Sequence, residues 1–95
     1  MLHTLMNSPF KSNMVLLLDN LRKSDDFLAL QDGVLIAVRK NYFLRDILNS
    51  SANLYVLQED VEARGLSNKI STEFMMISYQ KFVFLTEKNK QQMNW

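Results

Sequence analysis

The stretch Phe27 to Lys40, FLALQDGVLIAVRK, is apolar almost throughout, yet an Asp-Gly pair is set into its middle. One buried helix, a hairpin, or a strand feeding a helix would each accommodate such a run. A strand of about five residues fits before Asp32, over Phe27 to Gln31. Asp32 is then a good N-cap, Gly33 lets the chain turn tightly, and Val34 to Val38 begins a short helix. A two-residue Asp-Gly hairpin is the competitor. It fits less well, because VLIAV does not alternate in polarity and no third strand follows in hairpin style.

The flanking chain supports the strand-then-helix reading. Leu2 to Met6 is short, apolar and β-compatible, and it stops at Asn7-Ser8-Pro9, where proline removes a ladder donor and favours a helix start. Apolar residues at Phe10, Met14, Leu17, Leu18 and Leu21 then mark one face of a first helix. Val15 and Leu16 lie off that face, which means either a wide buried stripe or a partner packed on the far side. A second helix is expected where Leu44, Ile47 and Leu48 share a face opposite Arg45 and Asp46. Leu54 to Gln58 reads as a strand.

The following segment, EDVEARGL, carries its own end signals. Glu59 and Asp60 suit the positive end of a helix and Arg64 the negative end. Gly65 fits the left-handed C′ position, and Leu66 folds back on Val61. EFMMIS gives another strand. YQKFVFLTEKNK reads as a helix on the spacing of Tyr79, Phe82, Val83 and Thr86, against the strand propensity of FVFL alone. The tail QQMNW adds a short edge strand or docks Trp95 on the surface.

Strands and helices therefore alternate, which predicts an α/β fold: a three-layer αβα sandwich with a mostly parallel sheet of about four to five strands. Residues 1–95 form one domain, since a chain of this size builds a single core. In such a sheet the residues just after each strand line one edge, where ligands and catalytic groups collect. That edge would carry Asn7, Ser8, Gln31, Asp32, Gly33, Glu59, Asp60, Ser78 and Tyr79.

The composition narrows the chemistry. A formal charge of +1 creates no strong field for nucleic acid or an anionic membrane. With no cysteine, the chain has no thiolate nucleophile, no persulfide carrier and no sulfur-ligated zinc site. The start has neither a basic leader nor a cleavage site, and no apolar run approaches the roughly 20 residues that span a bilayer, so a cytoplasmic protein without membrane contact is expected. Two glycines cannot build a phosphate-cradling loop of the known patterns. Asp25 and Asp26 precede a strand, which rules out a receiver-like acid site. His3 has no second histidine to form a metal pair, and a hydrogen-bonded structural histidine is the better reading. Lys88, Lys90 and Trp95 could meet RNA through charge and stacking, but a solvated tail with one docked aromatic is the commoner arrangement.

MLHTL at the start with Ser8-Pro9, LQDGV at Leu30 to Val34, EDVEARGL, YQKFVFLT and a terminal MNW together resemble the TusB/DsrH family of sulfur-relay subunits. No one of these motifs is specific alone, but their order covers the whole chain. The resemblance implies a DsrE/F/H-like fold and a place in a cytoplasmic hetero-oligomer with TusC-like and TusD-like subunits, arranged as a dimer of heterotrimers. It implies an assembly that passes persulfide sulfur between carrier proteins, the sulfur ending in 2-thiouridine at the wobble position of certain tRNAs, which this chain would meet only indirectly. The sulfur-oxidising branch of the family has a cysteine in its DsrH subunit, and this chain departs from that pattern. A non-catalytic subunit with no cofactor or metal is therefore expected, with Val15, Leu16, Gln31, Asp32, Gly33 and Trp95 as candidate interface or edge residues. The competing expectation is a small ligand-binding module or enzyme that uses the Gln31-Asp32-Gly33 edge.

Overall fold

In the computed structural model, which describes residues 1–95, five strands form one sheet with all neighbours parallel. They are β1 (Leu2–Leu5), β2 (Asp26–Ala29), β3 (Asn53–Leu57), β4 (Met75–Ile77) and β5 (Gln92–Asn94), in the spatial order β4-β3-β2-β1-β5. The helices are α1 (Met14–Asn20), α2 (Leu44–Leu48), α3 (Gln58–Ala63) and α4 (Tyr79–Lys88), with 3-10 segments at Pro9–Lys11 and Gln31–Ala37. The predicted α/β class, the parallel sheet, the helix over Tyr79 to Lys88 and the edge strand in the tail are all present.

Connections from β1 through β4 step across the sheet in one direction, so right-handed crossovers put them on one face. The link from β4 to β5 steps back and lies on the other face. The two cores show the result. Leu5, Phe27, Ala29 and Val56 of the strands meet α1, the second 3-10 segment, α2 and α3 in a cluster of 15 buried residues. Leu2, Leu28, Leu57 and Ile77 point the opposite way and meet only α4, through Leu85, in a cluster of six.

Three local expectations require correction. The first helix does not start at Phe10. Ser8 caps the 3-10 turn, its Oγ accepting from Phe10 N–H, and Asn13 caps α1 separately, its Oδ1 accepting from Leu16 N–H. Asp32 is not an N-cap: Leu30 holds that position in the second 3-10 segment, with no side-chain cap. Gly33 does not supply the tight turn either, because the left-handed residue is Gln31, at φ 52°. Gly33 is needed for close approach instead. A Cβ there would lie 1.9 Å from the Leu5 carbonyl oxygen, so the segment after β2 can cross the end of β1 only without a side chain. The end of α3 follows expectation, with Gly65 at φ 66° and the paired bonds Leu66 N–H to Val61 O and Gly65 N–H to Glu62 O.

The thin face is fastened by a buried carboxylate. Asp26, 1% exposed, accepts from Asn53 Nδ2 at 3.0 Å, Lys88 Nζ at 3.1 Å and Asn89 Nδ2 at 2.9 Å, joining β2, β3 and the end of α4. Burial opposes its charge, but the hydrogen bonds from Asn89, Asn53 and Lys88 outweigh that and hold its pKa below the usual carboxylate value.

Gly33→Ala should destabilise the fold by about 3 kcal/mol, the upper end of overpacking costs, because the clash is with backbone; a urea midpoint equal to the parent's would refute this. A folded-state pKa below the unfolded one means that Asp26 contributes stability above the ordinary carboxylate range and loses it as pH falls through about 4 toward the lowered value. Asp26→Asn should therefore cost about 1.5–3 kcal/mol at neutral pH and flatten the acid limb of a urea-midpoint-against-pH plot.

Candidate functional site

The strand-end edge is built by the loops after β2, β3 and β4. Gln31 adopts its left-handed conformation just past β2, and its N–H donates to Asp60 Oδ2 at 2.6 Å. A non-glycine residue in this region costs roughly 1–2 kcal/mol, so the Asp60 bond is part of what holds it. The next residue, Asp32, accepts from Arg64 Nε at 3.2 Å and Nη2 at 3.0 Å, a fork of two donors on one oxygen. Arg64 also donates through Nη1 to the Asp60 backbone oxygen at 3.3 Å. One turn earlier on α3, Glu59 Oε2 accepts from Tyr79 N–H at 3.2 Å, tying the first residue of α4 to the same edge.

Gln31, Asp32 and Asp60 are therefore joined through Arg64, and Glu59 and Tyr79 form a separate pair beside them on the same strand-end edge. Arg64 is the member that sequence reasoning assigned elsewhere, to the dipole of its own helix; its reach across to Asp32 depends on how α3 packs beside the 3-10 segment. Ser78 caps α4, accepting from Lys81 N–H, and Ser8 caps its own turn. Gly33 is buried beneath the edge rather than presented on it.

The arrangement positions loops. Asp32, with 68% of its side chain exposed, is already paired with Arg64. None of the three main hollows includes Gln31, Asp32, Glu59 or Asp60. The largest, about 710 Å³, lies at the other end of the second 3-10 segment. It is lined by cations and anions together: Arg39, Lys40 and Arg45 with Asp46 and Glu73. No group of three or more His, Cys, Asp or Glu side chains comes together to hold a metal ion. No helix is long and apolar enough to cross a membrane.

Val15 and Leu16 resolve to the solvent side of α1, at 75% and 48% exposure, while Met14 and Leu17 fill the core. The wide-buried-stripe reading of α1 is thus excluded. Further exposed apolar side chains stand at Phe10, Tyr42, Met75, Tyr79 and Phe84. Trp95 folds back from the end of β5 onto β1, where its Nε1 donates to His3 Nδ1 at 3.2 Å, and His3 Nε2 lies 2.9 Å from Asp25 Oδ2. Asp25 was not singled out as a site residue. Only the register that sets β1 beside β2 brings it to His3, and no local motif signals that.

Comparison with known proteins agrees with this architecture. A family described as DsrH like protein matches residues 7–92. Over all 95 residues, and the full length of each relative, the chain is 58% identical to Protein TusB of Buchnera aphidicola subsp. Acyrthosiphon pisum (strain 5A) and 44% identical to Protein TusB of Escherichia coli (strain K12). Among solved structures, a protein of unknown function, MTH1491 from Methanobacterium thermoautotrophicum, superposes with a TM-score of 0.77 at 13% identity, covering 99% of this chain and 97% of that one. The ychN protein from E. coli gives 0.77 at 10% identity with the same coverage. These two share the fold. With full-length relatives at this identity and a family match across nearly the whole sequence, the chain belongs to the TusB/DsrH family.

Proposed function

We propose that this chain is a non-catalytic subunit of a cytoplasmic sulfur-relay complex, assembled with TusC-like and TusD-like subunits as a dimer of heterotrimers. The complex passes persulfide sulfur between carrier proteins toward 2-thiolation of the wobble uridine of tRNA, and this subunit meets the tRNA only through the carriers. The observation that carries the reading is the absence of cysteine from a member of this family. Persulfide transfer needs a thiolate that attacks and then bears the sulfur, so the sulfur-bearing group must stand on another chain.

Two features of the molecule support a role in assembly. Val15 and Leu16 form an apolar step on the outer side of α1, where nothing in the chain covers them. The edge groups at Asp32, Asp60 and Arg64 are committed to one another, which makes that edge a fixed surface and leaves no free acid or base poised over a cavity.

Co-expression with both partners should give one species of defined stoichiometry by native mass spectrometry, and a monodisperse chain that ignores both would refute the proposal. Replacing Val15 with Glu and Leu16 with Lys should change the stability of the isolated chain by no more than about 0.5 kcal/mol while shifting the mass spectrum toward free subunits. Asp32→Asn should leave the 2-thiouridine content of tRNA at the parental level in cells, whereas deleting the chain should lower it. A loss of thiolation in Asp32→Asn with a normal melting curve would favour an active edge instead.

A further inference from the structure

His3 is fully buried on the face of β1 that turns to the larger core, and both of its ring nitrogens are engaged. The indole N–H of Trp95 can only donate, so Nδ1 must carry a lone pair. The ring proton therefore sits on Nε2, where it is donated to Asp25 Oδ2. The two ring centroids are 6.2 Å apart with planes 16° from parallel. The hydrogen bond joins the two rings at their nitrogen edges.

The indole is the anchor of a weakly held strand. β5 has three residues, all exposed, and pairs with β1 alone. Beyond its ladder it is fixed by Trp95 N–H to Thr4 O at 2.9 Å, by the Thr4 hydroxyl donating to Asn94 Oδ1, and by the indole on His3.

We propose that His3 is a proton-operated latch for β5: uptake of one proton at Nδ1 breaks the bond to Trp95 and frees the edge strand. In the imidazolium, Nδ1–H and the indole N–H would be two donors facing each other. His3 is buried, so no solvent is at hand to accept either proton. The opposite side of the ring gains, because the Nε2–H bond to Asp25 becomes a full ion pair, so the imidazolium stays and the indole leaves. Few charged groups lie around the ring. Asp25 faces it directly, and the Met1 amino group lies 3.4 Å from the other Asp25 oxygen. β5 contributes no ionisable side chain, and the larger core beside Trp95 is apolar. Asp26 and Lys88 pair with each other through a separate set of bonds. Release uncovers the outer edge of β1.

Trp95 is the only tryptophan, so its fluorescence reads this site alone. Acrylamide quenching of the full chain, followed from about pH 8 to about pH 5, should rise while far-UV circular dichroism holds. Protection of the Trp95 backbone amide, corrected for intrinsic exchange, should fall about fivefold, the factor carried by one neutral hydrogen bond. His3→Asn, which keeps an acceptor near the Nδ1 position and cannot titrate, should show neither change. If that variant fails to fold, Trp95→Phe should leave the position-95 amide about fivefold less protected than the parent's at the higher pH, with no further change at the lower. Unchanged quenching in the parent, or the same pH response in His3→Asn or Trp95→Phe, would overturn the latch.

Discussion

The handedness of β-α-β connections governs how this molecule is assembled. Three successive crossovers in one direction must stack their connections on one face of the sheet, and the single return crossover must lie on the other. The thick face receives α1, the 3-10 segment after β2, α2 and α3, and the thin face receives α4 alone. Everything else adjusts to that division. The segment after β2 is forced close over the end of β1, where Gly33 meets the Leu5 carbonyl, and the last strand is carried back past β1 to the far edge.

Much of this was legible from local signals, because a strand or helix that carries its own periodicity and caps declares itself. The Gly65 end of α3 and the apolar face of α2 are such cases; for α4 the spacing located the helix but not its buried face, since Tyr79 and Val83 are exposed and Leu85 is the residue that enters the core. The failures occurred where two local signals competed. The Phe10-Met14-Leu17-Leu21 spacing runs unbroken through two separately capped pieces, since Ser8 and Asn13 each satisfy amides at a different start. Asp-Gly after β2 looks like a cap and a turn, but the left-handed conformation falls one residue before Asp32, and Asp32 is drawn to Arg64 instead. Gln31 tolerates that conformation because Asp60 holds its amide, a contact between residues 29 apart in sequence.

The candidate edge was legible as a set of positions and not as a network. Strand ends locate Gln31, Asp32, Glu59, Asp60 and Tyr79, but the bonds among them depend on side-chain reach between neighbouring loops. The His3, Asp25 and Trp95 contacts were less accessible still: they join residues 22 and 92 positions apart through the sheet register. This distribution fits the assembly role proposed above. Polar groups are spent on fixing loops and chain ends, and exposed apolar side chains such as Val15, Leu16 and Phe84 remain on the surface.

The buried Asp26 cluster has a consequence for how the molecule loosens. On the thin face only Leu85 of α4 is fully buried, so that helix owes its seat to a few apolar contacts and one carboxylate with three donors. The thick face instead joins α1, α2, α3 and the 3-10 segment through one cluster of 15 buried residues. Fluctuations should therefore peel α4 away with β5 behind it as one cooperative unit, leaving a four-stranded remnant in which one side of the sheet lies bare.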